Sequence, residues 1–428
     1  MKTINNDTIK EILYHANLAN GLKVYVMPKK GYVKKYAIYA TRYGSIDNRF
    51  RINNEKQPIE VPDGIAHFLE HKLFEEEKGN IFNEFSKLGA QANAYTNFTT
   101  TAYLFSCTDN FYESLNLLLN FVTRPYFTDE NVNKEKGIIA QEIRMYQDNP
   151  NWKVFFNLLK ALYKNHPVNI DIAGTIESIN RIDKDILYKC YNTFYNPSNM
   201  VLFMVGDLDP DRVFKETEDI IKQLNPPPRT KIERLYPDEP YNIGKEKIQE
   251  TMEVSTPLFA IGFKERNTGK KGKELMDMDI ITNICLDLLI GRSSRLYNRL
   301  YNEGLINEIF EKEYSGEVNY GFSMIAGESS DPERVVSEIM DEIILMNKEG
   351  LDNDYFVRIK KKHFGQLISY FNSIEFIASN FINFVFKDIN ILDYPQAIQD
   401  MDFERVQQRF AEHFNTDNFA TSIIKAKK

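Results

Sequence analysis

The chain has 428 residues, 43% of them hydrophobic and 27% charged, with a formal net charge of −8. That length exceeds what one hydrophobic core usually serves and points to two domains. The acidic balance argues against nucleic acid as a main partner, because phosphate binding takes a basic surface or stripe.

Asn20-Gly21 signals a turn, after which Leu22, Val24 and Val26 alternate with Lys23 and Tyr25 as a strand does. Gly31 breaks this strand and Tyr36 to Arg42 resumes as a second one. Asp63, preceded by Pro62, is the expected N-cap of a helix with Ile65, Phe68, Leu69 and Leu73 along one stripe and His67, Glu70, His71 and Phe74 along another. A short helix from Ile81 to Leu88 ends at Gly89. Residues 92–106, rich in Thr, Tyr and Phe, read as a strand or hairpin, and helices are expected at 110–123 and 129–147. Beyond the His166-Pro167 turn come a helix near 184–194, an apolar strand from Met200 to Val205, and a helix opened by Asp209-Pro210.

The proline-rich stretch 225–245 is the expected domain boundary. From Gln249 the order repeats in outline: strands, long helices, a strand near Gly321 to Ala326, then helices. Two α+β halves fit this alternation, 1–228 and 246–428 with 229–245 as linker, although no residue-level repeat marks a duplication. The lysine-rich runs Lys29 to Lys35 and Lys264 to Lys273 read as solvated loops. Cys107, Cys190 and Cys285 form no C-x-x-C pair, so reduced, mostly buried thiols in a cytoplasmic protein are expected. Met1 to Asn20 has no signal-like apolar run, and no stretch approaches the ~20 apolar residues of a membrane helix.

The chemistry concentrates in His67-Phe68-Leu69-Glu70-His71. On a helix, His67 and His71 project from one face one turn apart, a spacing that gives zinc two nitrogens from one rigid element. Glu70 lies on the same side, where it can activate a metal-bound water; the order H-x-x-E-H inverts the commoner H-E-x-x-H. The chain has only six His, so this pairing around a Glu is informative, whereas His15, His166, His363 and His413 are isolated and read as structural or surface residues. A catalytic zinc usually takes three protein ligands. The best supplier of the third is the helix Glu135 to Tyr146, where Glu135 and Glu142 share a face and Ile138, Ile139, Ile143 and Met145 offer an apolar side for anchoring.

Gly64-Ile65-Ala66-His67-Phe68-Leu69-Glu70-His71 followed by Glu142 closely resembles the insulinase/pitrilysin-type zinc metallopeptidases. The resemblance extends through Asn93-Ala94-Tyr95-Thr96, Glu135 to Glu142, Gly174-Thr175-x-Glu177-Ser178-Ile179 and Asn196-Pro197-Ser198-Asn199-Met200, which covers the first half almost end to end. It implies one Zn²⁺ per chain held by His67, His71 and Glu142, with Glu70 as general base and Glu135 supporting the site from behind. It also implies that Asn93 and Ala94 hold a peptide substrate on an edge strand. The implied fold is two similar α/β-sandwich halves, each a mainly antiparallel sheet covered by helices, together half of a clamshell.

The second half departs from the family. Members that work alone carry an Arg and a Tyr in a stretch resembling S-S-R-L-x-x-x-L-R-E-x-G-L-x-Y. This chain runs from Ser293-Ser294-Arg295-Leu296 through Arg299 to Gly304-Leu305, but has Tyr301 and Asn307 at those two positions. Neither replacement supplies a positive charge for an oxyanion. Some bacterial members are obligate pairs, and the resemblance therefore implies the zinc-bearing subunit of a heterodimer whose partner brings the Arg and Tyr. The alternative is a non-catalytic scaffold or substrate-binding subunit; the intact His67, Glu70, His71 and Glu142 favour the enzyme.

Overall fold

A computed structural model describes residues 1–76 and 79–427. The chain divides into two compact units, and neither is a simple half of the sequence. The first comprises Met1–Arg144, Ile170–Tyr236 and Tyr370–Phe386; the second comprises Met145–Asn169, Pro237–Ser369 and Lys387–Lys428. The architecture is α+β, with mainly antiparallel sheets carrying helices.

In the first unit, the apolar strand Met200–Gly206 pairs parallel with Lys23–Pro28 and antiparallel with Lys35–Thr41. Outside Lys35–Thr41 follow Thr101–Cys107 and then Gln91–Thr96, which forms the open edge. The expected strand or hairpin at 92–106 is this antiparallel pair. Two further strands, Lys2–Asn6 and Glu11–Asn17, extend the other edge to make seven. The second unit repeats the pattern with five strands: Lys247–Met252 parallel to Phe419–Ala426, then Leu258–Lys264, Gly321–Glu328 and the edge strand Phe310–Gly316, all antiparallel. The duplication that the residues conceal is therefore present in strand order and direction.

Each sheet is covered by a helix from the other half of the sequence. Ile374–Val385 lies on the strands Met200–Gly206 and Lys35–Thr41, with Phe381 stacked on Phe203 at 4.1 Å and edge-on to Tyr25 at 4.9 Å. Pro150–Leu162 lies on Leu258–Lys264 and Phe419–Ala426, and Leu158 and Leu162 approach so closely that a Cβ on Gly262 would sit 2.8 Å from Leu162 Cδ1. Such buried aromatic and aliphatic contacts carry most of the stabilisation between a helix and a sheet.

Some expectations are corrected. Lys29 and Lys264 are buried rather than solvated, Lys29 bonded to Glu11 and the Phe371 carbonyl, Lys264 to Glu239 and the Leu162 and Pro240 carbonyls. A long alkyl stem packs in the core when such partners satisfy the ammonium. The stretch 229–245 contains a strand, Ile232–Arg234, paired with Arg49–Ile52. The three cysteines are free and buried. Among the described residues no helix is long and apolar enough to cross a membrane.

Truncating Phe381 to Ala should cost about 3–5 kcal/mol, read as an earlier urea midpoint for the unit that holds the sheet of Met200–Gly206. An unchanged midpoint would mean that the helix from the second half is not needed to hold that sheet.

Candidate metal centre

The motif helix runs from Ile65 to Leu73, with Phe68, Leu69 and Leu73 buried against the sheet and its neighbours. Its N-cap is Gly64, not Asp63. Gly64 has φ +88°, and a Cβ there would lie 2.3 Å from the Ala173 carbonyl oxygen. Gly174 is the reciprocal case, with φ +75° and a notional Cβ 2.5 Å from the Asp63 carbonyl. Only glycine tolerates both the left-handed backbone and the close approach. Ser178 Oγ donates to that same Asp63 carbonyl at 2.8 Å, while the Asp63 carboxylate is held by Asn48 Nδ2 at 2.8 Å. Asp63 is thus engaged from two distant segments and is not free to cap. Thr175 and Ser178 form a reciprocal cap on the short helix Ile176–Asn180, each side-chain oxygen accepting the other's backbone N–H. The Gly174-to-Ile179 stretch therefore acts as a clamp on the start of the motif helix.

The helix Asp129–Gln147 brings the carboxylates. Glu142 Oε1 lies 3.6 Å from His67 Nε2, and Oε2 lies 3.4 Å from His71 Nε2. One donor atom from each of His67, His71 and Glu142 falls within 4.8 Å of the others. Ligand atoms at zinc's ~2.0–2.1 Å bond length stand about 3.3 Å apart at tetrahedral angles, so these side chains fit such an ion with little adjustment. Glu135 Oε1 meets His71 Nδ1 at 3.1 Å, the arrangement in which a carboxylate fixes the ring of a ligating histidine. His67 Nδ1 is buried and has no hydrogen-bond partner among the described residues.

Burial works against charge on His71, but hydrogen bonds to Glu135 and Glu142, with the charges of Glu142 and Glu70, raise its pKa to about 10. The negative field that favours a proton there also favours a divalent cation among the three donors. Lys72, fully buried, pairs with Glu75 and lies 3.6 Å from Glu135 Oε2, so it offsets part of the same charge.

On the carboxylate helix, Ile139 and Ile143 are buried as expected, but Ile138 is 45% exposed and Met145 59%. Ile138 instead walls a cavity of about 670 Å³ together with Glu70, His71, Phe74, Phe82 and Ala94. The rings of Phe74 and Phe82 stack at 4.3 Å. Asn93 also lines the cavity, on the edge strand Gln91–Thr96, and its Oδ1 accepts the Ala94 N–H at 2.9 Å. All the predicted site residues are thus gathered here. Sequence reading missed Lys72, the contact of Ser178 with Asp63, and the role of Thr96, whose Oγ1 donates to Glu70 Oε2 at 2.7 Å. Thr96 was within the quoted Asn93–Thr96 stretch, but its contact with a helix 26 residues earlier had no sequence signal.

The family model "Insulinase (Peptidase family M16)" matches residues 59–176, and "Peptidase M16 inactive domain" matches residues 181–362. A zinc protease of Bacillus subtilis, YmfH, is 42% identical over 427 residues, spanning 100% of both chains. The zinc protease PqqE of Helicobacter pylori is 23% identical over 420 residues, 95% of this chain and 91% of that one. The crystal structure of an M16-like peptidase from Alicyclobacillus acidocaldarius matches with a TM-score of 0.94 and 38% identity, over 97% of this chain and 99% of the other. Pitrilysin shares the fold alone, with a TM-score of 0.75 and 16% identity; the match takes in 99% of this chain and 46% of pitrilysin.

Replacing Glu135 by Gln should weaken zinc binding about 10–100-fold, measured by competition with a chromophoric chelator. Unchanged affinity would mean that the Glu135–His71 contact does not support the metal.

Proposed function

The chain belongs to the insulinase (M16) peptidase family, and from that premise we propose that it is the zinc-bearing subunit of a two-protein endopeptidase. The observation that carries this reading is the convergence of Glu142 on both His67 and His71, with Glu70 beside them on the cavity wall. The substrates are peptides or unfolded short polypeptides.

Zinc held by His67, His71 and Glu142 would act as a Lewis acid, polarising the scissile carbonyl and lowering the pKa of the attacking water toward ~7. Glu70 takes the proton of that water and delivers it to the leaving amine as the C–N bond breaks. Glu135 holds the His71 ring. The peptide lies extended along the edge strand, where Asn93 and Ala94 meet its main chain. For that, the Asn93 amide gives up the Ala94 N–H it holds in the free protein. Phe74, Phe82 and Ile138 receive an apolar side chain next to the scissile bond.

The partner supplies an Arg and a Tyr for the developing oxyanion. Supporting this, Tyr301 stands half-exposed against Tyr297, and Asn307 is tied to Glu328 at 2.8 Å. The nearby arginines are engaged by acidic residues, Arg299 with Glu338 at 2.8 Å and Arg295 with Glu342 at 3.5 Å. Losing one oxyanion donor typically costs ~10²–10³ in rate, so the isolated chain is expected to be a poor catalyst. That the fold recurs over about half of pitrilysin is in keeping with a pair of such chains.

With the partner present, Glu70→Gln should retain about one zinc per chain and lose peptide cleavage by about 10²–10⁴-fold. His71→Ala should lose the metal as well. Cleavage by Glu70→Gln at the parent rate would sink the assignment of the base. A parent chain as active alone as with its partner would sink the two-protein model.

A further inference from the structure

An ionised carboxylate accepts hydrogen bonds at both oxygens and donates none. A base that collects a proton from one direction gains from having one oxygen tied and the other left open. At Glu70 the tie comes from the sheet, where Thr96 Oγ1 donates to Oε2 at 2.7 Å. Among the described residues this is the only hydrogen bond made by the Glu70 side chain.

Thr96 is the last residue of the edge strand and stands opposite Thr101 in the register. Thr101 is fully buried and donates its one hydroxyl proton to the Tyr43 carbonyl at 2.9 Å. Its oxygen lies 3.3 Å from Thr96 Oγ1 and has no proton left to give. The proton of Thr96 therefore goes to the nearer and charged acceptor, Glu70, which makes the stronger bond. Each hydroxyl in the row has its direction set by the next, and the row ends on the base.

We propose that Thr96 is a positioning residue for Glu70: it holds Oε2 so that Oε1 is the oxygen presented to the attacking water. The proposal rests on the proteolytic reading above and deepens it. Thr96 shares its strand with Asn93 and Ala94, so the base is fixed with respect to the strand that holds the peptide, not only to the helix that carries it.

Thr96→Val and Thr96→Ala, assayed with the partner and loaded with zinc, should lower kcat by about 10–100-fold while KM and zinc content stay near the parent's. Thr96→Ser, which keeps the hydroxyl, should restore most of the rate. In a Glu70→Gln background Thr96→Ala should cost nothing further, since it acts through the group already removed. An unchanged kcat in Thr96→Ala, or a loss that Ser does not rescue, overturns the proposal. A crystal structure of Thr96→Ala supplies a readout independent of activity: Glu70 should occupy more than one rotamer, and a single parent-like rotamer also overturns it. If the zinc-loaded, paired parent cleaves no peptide, the proteolytic reading falls, and the crystallographic comparison still decides whether Thr96 sets the Glu70 rotamer.

Discussion

Three carboxylates, from Glu70, Glu135 and Glu142, converge on two imidazoles at one face of the motif helix, and so much like charge is tolerated away from bulk water only where cations arrive with it. The chain itself brings Lys72, buried between Glu75 and Glu135. Lys134 adds a more distant contact to Glu75 at 3.4 Å. Glu142 faces the two histidines, with Oε1 3.6 Å from His67 Nε2 and Oε2 3.4 Å from His71 Nε2. Such a gathering of carboxylates and imidazoles favours a divalent ion as much by its charge as by the choice of ligand atoms.

Much of this was legible because it is local. The two histidines and Glu70 lie within one turn and a half of helix, and Glu135 and Glu142 repeat along a second helix whose period is plain. The strand pair around 92–106 declared itself by its aromatic and β-branched residues. What escaped reading was decided by partners far away in sequence. Asp63 looks like a cap, yet Asn48 and Ser178 claim it, and Gly64 takes the position. Ile138 looks like core, yet it faces the cavity, because Ile139 and Ile143, four residues apart, take the buried face of the helix. Lys29 and Lys264 look like surface until their buried carboxylate and carbonyl partners are in place.

The second unit meets the same electrostatic constraint in a different way. It has a cavity of about 420 Å³ beside its own edge strand, at Phe310, Lys312 and the helix end at Asp287. There the buried Asp287 carboxylate is bonded by Lys312 at 2.8 Å, Lys362 at 3.0 Å and His363 at 2.7 Å. Burial opposes its charge, but His363 and Lys312 hold its carboxyl well below the usual range. Here one buried carboxylate meets two lysines and a histidine, whereas the first unit sets three carboxylates around two histidines with one buried lysine beside them. A repeated strand order has thus been kept with opposite electrostatic solutions.

The exchange of helices between the two halves has a consequence for how the molecule is made. The strands of the first sheet are complete once Gly206 has been synthesised, but Ile374–Val385, which covers Phe203 and Tyr25, leaves the ribosome only after most of the second unit. Until then an apolar sheet face stays open to water and to other nascent chains, the situation in which larger proteins aggregate. Translation therefore cannot finish the unit that holds the candidate metal site early and leave it to wait. Its completion is gated by a late stretch of the message, and a product terminated before Ile374 would carry His67, His71 and Glu142 and still lack the helix that closes their sheet.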